Sequence, residues 1–314
     1  MNIGLDIMGG DFAPSATING ALLAAEELPA SCKIILVGET AVIKSELAKV
    51  GADPDIFEVI PSFSVIGMGE NPTRAFTHKQ DSSISTGFRK LKDKQLDAFV
   101  SAGNTGAMLV GAVLSVKPIE GIQRPCIMSL IPKESGGYGV LLDVGSNADC
   151  KADTLYQFAI LGSMYAAGVL GIENPKVGLI NIGEEPEKGN AVAQAAFQLM
   201  SGSPDFNFIG NIEGRDLFND KADVMVCDGF TGNVVLKLAE SFYSLFKNRG
   251  FSDQYIDRFN YENYGGTPIL GINSTVIVGH GISNAHTIKN MLTLAHEIVS
   301  AGLTEKIKAV LQHE

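Results

Sequence analysis

Basic residues are scarce in this 314-residue chain: 24 Lys and Arg stand against 35 Asp and Glu, a formal charge of -11. That balance argues against general nucleic-acid binding and means that an acidic partner needs a local basic patch. Cysteine is scarcer still, and Cys32, Cys126, Cys150 and Cys227 show no C-x-x-C spacing. They read as reduced, mostly buried thiols of a cytosolic protein. No charged-then-apolar leader opens the sequence, so no signal peptide is expected. One uncharged run, Thr154 to Ile172, approaches the length of a membrane span, but its Gln157, Ser163, two tyrosines and three glycines favour a helix buried in a core or at a subunit contact.

Familiar motifs are missing too. No G-x-G-x-x-G follows the first strand and there is no G-x-x-x-x-G-K-[ST], so neither a standard dinucleotide site nor a P-loop is signalled. G-x-S-x-G and H-E-x-x-H are absent, and the acidic loop residues do not fall at calcium-loop spacing.

What is present is an alternation of short apolar strands, glycine-rich turns and helices. Strands are expected at Asn2–Asp6, Lys33–Val37, Phe57–Ile60, Leu96–Val100, Val177–Ile180, Phe206–Ile209, Val224–Cys227 and Thr275–Val278. Cys126–Pro132 and Tyr138–Asp143 flank a glycine-containing turn and predict an antiparallel hairpin. Pro61 to Gly87 reads as polar and irregular, the kind of segment that is often functional. At least five strands end in a Gly/Asn/Asp loop that feeds a helix, the mark of a doubly wound α/β/α fold with a largely parallel sheet and ligands at the strands' carboxyl ends.

The stretch Asp223 to Glu240 concentrates these features. A strand leads through glycines 229 and 232 into a helix that Asn233 could open, and such a turn aims N–H groups and the positive end of a helix dipole at one spot. An ordinary strand-to-helix turn has the same pattern.

Asp6-Ile-Met-Gly-Gly-Asp11, Asp81-Ser-Ser83, Ser101-Ala-Gly-Asn-Thr-Gly106, Leu142-Asp-Val-Gly-Ser-Asn147, Glu184-Glu185 with Lys188-Gly-Asn190, Asp228-Gly-Phe-Thr-Gly-Asn233, Tyr264-Gly-Gly and His280-Gly occur in that order. Together they resemble the PlsX family, the bacterial phosphate acyltransferases of phospholipid synthesis. The resemblance implies one domain over 1–314 with an isocitrate dehydrogenase/phosphotransacetylase-like fold, a homodimer, and a cytoplasmic enzyme that works peripherally at the inner face of the membrane. It implies transfer of a fatty acyl group from acyl carrier protein to inorganic phosphate. A membrane glycerol-3-phosphate acyltransferase would consume the acyl phosphate.

The resemblance also implies a site. Lys188 and Asn233 are the expected catalytic pair, Lys188 neutralising phosphate and the tetrahedral intermediate, Asn233 orienting phosphate or donating to the oxyanion. Taken singly, the first fits a solvated lysine and the second a helix N-cap. Phosphate or substrate binding is expected of Gly9, Gly10, Asp11, Ser82, Ser83, Asn104, Thr105, Gly106, Asp143, Asn147, Glu184, Asp228, Gly229, Gly232 and His280. Asp11, Asp143 and Asp228 equally suit hydrogen bonding to turn amides, and His78 and His280 are candidate site histidines that equally suit loop or core hydrogen bonding. Attack of phosphate on a thioester needs a held, partly desolvated anion and a donor for the carbonyl oxygen. A thiolate of pKa about 8.5 leaves without much help from an acid. No metal, no cofactor and no Ser-His-Asp triad is called for. An acyl-enzyme on Cys227 ranks low, since no basic partner adjoins it.

Two departures from the family pattern stand out: a shorter segment between Phe242 and Tyr264, where the family has a helical hairpin associated with dimer tips and membrane contact, and Ile282 in place of a small polar residue. The strongest local reversal of charge is Arg74 to Lys94, where Arg74, Lys79, Arg89, Lys90, Lys92 and Lys94 face only Asp81 and Asp93. Arg89, Lys90 and Lys92 are therefore the expected docking residues for the acidic carrier protein, or else a solvated helix end. Rival readings are a phosphotransacetylase-like enzyme using a coenzyme A thioester and a non-catalytic regulator that binds acyl carrier protein or a metabolite.

Overall fold

The computed structural model describes residues 1–311. In chain order β1 (Asn2–Asp6), α1 (Ser15–Glu27), β2 (Lys33–Gly38), α2 (Thr40–Lys49) and β3 (Glu58–Pro61) follow the expected alternation. Next come α3 (Pro72–His78), α4 (Ser83–Lys92), β4 (Ala98–Ser101) and α5 (Thr105–Gly111), then the hairpin of β5 (Cys126–Pro132) and β6 (Tyr138–Leu142). The series α6 (Ala152–Gly168), β7 (Lys176–Ile180), α7 (Ala191–Met200), β8 (Asn207–Ile212), β9 (Val224–Val226), α8 (Gly229–Asn248) and α9 (Gln254–Asp257) follows. The chain closes with β10 (Thr267–Leu270), β11 (Thr275–Val278), α10 (Ala285–Ser300) and α11 (Leu303–Leu311).

The reading of Pro61 to Gly87 fails in part. The segment is not irregular throughout, because two capped helices start in it. The Asn71 side chain accepts from the Arg74 N–H with Pro72 opening α3, and Ser82 Oγ accepts from the Ser85 N–H at the head of α4. Polarity hid the start of α4 because four of its buried residues are small, Ser83, Ser85, Thr86 and Gly87, packing inward beside Ile84, Phe88 and Leu91; a methyl at Gly87 would run into the Phe99 ring.

Two compact units emerge: Met1–Pro118 with Tyr261–Ser300, and Ile119–Asn260 with the segment from Ala301. In the first, β3, β2, β1, β4 and β11 run parallel, with Leu5 beside Leu36 and Val100, and Val100 beside Ile277. The strand β10 pairs antiparallel to β11. Central strands buried on both faces require helices on both; α1, α2 and α10 form one layer, α4 and α5 another. A methyl at Gly20 of α1 would meet Ile288 of α10, so the tight crossing of these two helices needs glycine there.

In the second unit β6, β9, β7 and β8 are parallel, with Leu142 and Leu179 both registered on Val226 and Ile180 on Ile212; β5 pairs antiparallel with β6. The uncharged run becomes α6, whose Leu155, Phe158, Ala159, Ile160 and Leu161 are buried. Gly162 lets α6 close onto Val224 and Leu142 of the sheet. Its apolarity is therefore spent on core packing, and among the described residues no helix is long and apolar enough to cross a membrane. The shortened segment folds as the end of α8 and the short α9, with Tyr255 donating to the Pro132 carbonyl (3.2 Å) and the Arg258 guanidinium 4.8 Å over the Tyr138 ring.

Because the strands within each unit are parallel, the loops that follow them share one edge of that unit. The first unit carries loops 7–14, 62–71, 102–104 and 279–284 at its carboxyl edge. The second carries 143–151, 181–190, 213–223 and 227–228.

Candidate active site

The second unit builds its site on the loop after β6. Asp143 is fully buried, and its carboxylate accepts from Ile127 N–H (3.0 Å), Gly145 N–H (3.3 Å), Ser146 N–H (3.2 Å) and Asn147 N–H (2.7 Å). Glycine is required where this turn meets α8. A methyl at Gly232 would overlap the Asp143 carbonyl oxygen, and one at Gly229 would lie 2.7 Å from Asp143 Oδ2.

The helix α8 starts four residues earlier than Asn233. Asp228 is its cap, accepting from the Thr231 N–H at 2.7 Å, and Gly229 already has helical geometry. Asn233 is freed from capping, and its amide NH2 donates instead to the Val144 carbonyl at 3.1 Å. The expected cradle of open amides is also largely filled from within: Gly229 N–H bonds Asn147 O (2.7 Å), Thr231 N–H bonds Asp228 and Gly232 N–H bonds Asp228 O (3.0 Å). Acidic residues that order a turn consume the donors the turn would otherwise offer. Asp143 and Asp228 thus organise the loops, and side chains at this edge must supply any further contact to an anion.

Lys188 sits in the next loop but one in space, after β7. Asn181 shapes that loop, its NH2 donating to the Lys188 carbonyl (3.1 Å), while Asn211 from β8 donates to the Glu185 carbonyl (2.9 Å). Gly183 leaves room for the lysine stem, since a methyl there would lie 2.9 Å from Lys188 Cγ. The side chain is 45% exposed and its ammonium lies 4.0 Å from Glu185 Oε2, a loose pair that leaves its donors open to a ligand. Glu184 faces away from that role: it pairs with Lys221 (2.7 Å) and Arg215 (3.6 Å), and the Lys221 hydrogen bond holds its carboxyl below the usual range. Lys221 also bonds Asp216 (2.9 Å). Burial would raise the Asp216 pKa, but bonds from Glu213 N–H, Lys221 and Asn219 outweigh it and lower the value. Sequence reading missed Asn181, Asn211, Arg215, Asp216 and Lys221. The Glu184–Lys221 pair spans 37 positions and leaves no local signal.

The first unit gathers the other expected residues at its own carboxyl edge. Asp6, fully buried, accepts from Ser101 Oγ (2.7 Å) and Met8 N–H (3.0 Å), and burial pushes its carboxyl up. Gly9 must be glycine, because a methyl would lie 2.5 Å from Asp6 Oδ2 and 2.8 Å from Gly103 N. Gly10 takes φ +107° and lets Asp11 N–H reach Gly281 O at 2.7 Å. Asn104 is structural: its Oδ1 caps α5 and its NH2 lies within 3.0–3.1 Å of the carbonyls of Gly67, Met68 and Glu70. Gly106 packs on Pro72, Thr105 is exposed, and Ser82 and Ser83 are buried at the head of α4. His280 is an exposed residue whose carbonyl takes the Ser283 hydroxyl at 2.6 Å, and His78 Nδ1 lies 2.8 Å from Arg74 O.

Arg89, Lys90 and Lys92 occupy the last turn of α4, where they suit the negative end of its dipole. With a rise of 1.5 Å per residue, that turn lies about 9–14 Å along the helix from Ser83 and away from the loop edge. Arg89 and Lys92 are exposed and Lys90 half-buried.

Cys227 is 4% exposed and donates to the Asp143 carbonyl at 3.7 Å. Burial, reinforced by Asp228 and Asp143, pushes its thiol well above the ordinary range, so the nucleophilic thiolate is not formed near neutrality. Cys227→Ala is therefore expected to keep turnover within about threefold of the parent, measured as thiol release from a thioester substrate; a loss of more than about a hundredfold in a folded variant would restore the acyl-enzyme route.

Comparison with known proteins adds what geometry does not. Residues 1–249 match the family model described as "Fatty acid synthesis protein". A protein of Dictyoglomus turgidum named phosphate acyltransferase is 40% identical over 98% of this chain and 96% of its own length. The phosphate acyltransferase of Syntrophomonas wolfei is 42% identical over 97% of each chain, and that of Desulforamulus reducens 42% identical over 100% of this chain and 98% of its own. Among solved structures, a phosphotransacetylase from Streptococcus pyogenes superposes with TM-score 0.65 at 18% identity, covering 95% of this chain and 94% of its own. A branched-chain phosphotransacylase from Enterococcus faecalis gives 0.65 at 13%, covering 95% and 99%. At that identity the likeness concerns the fold, and it agrees with the doubly wound α/β architecture expected from the strand and loop pattern.

Proposed function

This chain belongs to the phosphate acyltransferase (PlsX) family, and on that premise we propose that it transfers a fatty acyl group from acyl carrier protein to inorganic phosphate, for phosphatidic acid synthesis. The observation that carries the site reading is the loop edge of the second unit, where Asn233 is pinned to the β6 loop and Lys188 holds an ammonium with open donors. In the proposed reaction Lys188 draws in phosphate and offsets its charge. A phosphate oxygen then attacks the thioester carbonyl carbon, and negative charge builds on the carbonyl oxygen. The Asn233 carboxamide, one N–H held by Val144, keeps a second N–H and an acceptor oxygen for phosphate or that oxyanion. Collapse of the intermediate breaks the C–S bond, sulfur leaves as thiolate, and acyl phosphate is released.

Acyl phosphate is reactive, so we assign its consumption to a membrane glycerol-3-phosphate acyltransferase and place this chain, as a homodimer, at the inner membrane face. Carrier-protein docking is assigned to Arg89, Lys90 and Lys92, an exposed to half-buried basic turn on an otherwise acidic chain. The experiment is a comparison of donors: purified protein with phosphate and either long-chain acyl carrier protein or the matching acyl coenzyme A, with acyl phosphate trapped as hydroxamate. Product from the carrier protein is expected, weakening with salt. Product from coenzyme A alone would make the chain a phosphotransacetylase-like enzyme, and binding without turnover would make it a regulator.

A further inference from the structure

We infer that Asp143 is a positioning residue of the acyl transfer, acting through the β6 loop on the Asn233 carboxamide; the inference rests on the catalytic reading of Asn233 given above. Asp143 has no face left for a substrate. Besides its four backbone partners, the carboxylate accepts the Ser146 hydroxyl at 2.9 Å on both oxygens and the Asn147 side-chain NH2 at 3.0 Å, and the residue has no exposed surface. A carboxylate would also repel phosphate. What it does instead is converge the backbone of Gly145, Ser146 and Asn147 on one anchor. Val144, inside that turn, is tied by its own N–H to Ile127 O (2.9 Å) and turns its carbonyl to Asn233.

A carbonyl oxygen can only accept, so this contact decides the carboxamide orientation: the NH2 end of Asn233 faces the loop. Gly145 keeps that position clear, since a methyl there would lie 3.1 Å from Asn233 Nδ2. The same reasoning explains why the anchor is an aspartate. Every hydrogen-bond partner of the carboxylate is an N–H or O–H donor, which an acceptor-only group suits. An asparagine of equal size would turn an NH2 against them. The path from Asp143 to the substrate is thus a chain of turn amide, Val144 carbonyl and Asn233 amide.

A double-mutant cycle on the purified enzyme tests this. Asp143→Asn is expected to lower kcat about thirtyfold or more while changing the KM for phosphate less than about threefold, because the misplaced group acts in the transition state. In an Asn233→Ala background the same change is expected to cost less than about threefold, since the group it positions is gone. Ser146→Ala, which removes one donor and no backbone contact, gives the same pattern at lower amplitude and serves if Asp143→Asn does not fold. Independent losses that multiply in the double variants, or wild-type kcat in both single loop variants, would overturn the positioning role. Wild-type turnover in Asn233→Ala alone would instead remove the catalytic reading of Asn233 on which the inference stands.

Discussion

Lys188→Ala is expected to lower kcat/KM for acyl transfer by about a hundred- to a thousandfold, about 3–4 kcal/mol of transition-state stabilisation, the scale of removing one preorganised donor from developing negative charge. The unfolding midpoint should hardly move. The side chain is 45% exposed, its one ion pair is at 4.0 Å, and a pair of that kind contributes little to stability. The backbone carbonyl of residue 188, which Asn181 needs, is untouched by the substitution. Lys188→Arg separates charge from geometry: a planar fork on a longer reach keeps the positive charge and loses the compact ammonium, so partial activity is expected. Near-parental rates for Lys188→Ala in steady-state assays would take the lysine out of the mechanism and leave the edge to Lys221 and Arg215, both already committed to carboxylates.

Gly232→Ala should be as damaging by a different route. The added methyl falls on the Asp143 carbonyl, a backbone atom of a buried turn, and within 3.0 Å of Cys227 Sγ. Neither neighbour can swing aside like the end of a flexible chain, so α8 or the β6 loop must shift. Overpacking of this kind costs about 1–3 kcal/mol. Because Asn233 follows directly and is bonded to Val144 across the same junction, turnover should fall by about a hundredfold or more even where the fold survives. Thermal unfolding and steady-state kinetics on the same sample distinguish the two effects. Parental stability together with parental kcat would mean that the junction tolerates movement. As a control, Gly250→Ala adds a methyl with nothing within 4 Å, and its φ of +77° makes any loss one of local backbone strain alone.

The Gly232 prediction comes from contacts that no local pattern carries, since Asp143 and Val144 are far from it in sequence. The strand-loop-helix alternation was legible because hydrophobic period and glycine position are properties of neighbouring residues. Even the uncharged Thr154 to Ile172 run could be recognised as a buried helix from its polar and glycine content. The cap of α8 was misplaced by five residues because Asp228 and Asn233 are both good cap residues, and only the bond from Thr231 N–H decides between them. The first half of α4 reads as irregular because its serines, threonine and glycine look like a loop until Gly87 is seen packed against Phe99.

By itself, the sequence determined the parallel α/β architecture, since strands, turns and helices follow from residue types at local spacing; the ordered motifs carried the resemblance to the family, and it is that resemblance which singled out Lys188 and Asn233. Tertiary structure decided what each candidate does with its hydrogen bonds. Asp143 meets Ile127 16 positions away, Asn233 meets Val144 89 away, Lys221 meets Glu184 37 away and Ser101 meets Asp6 95 away. A carboxylate or amide has a fixed number of donors and acceptors, and whether they are spent on the protein or left for a ligand depends on which distant backbone the fold brings within 3 Å or so. That is why Asp143 and Asp228 are anchors and the turn amides at the head of α8 are occupied, while the exposed Lys188 side chain keeps its donors open.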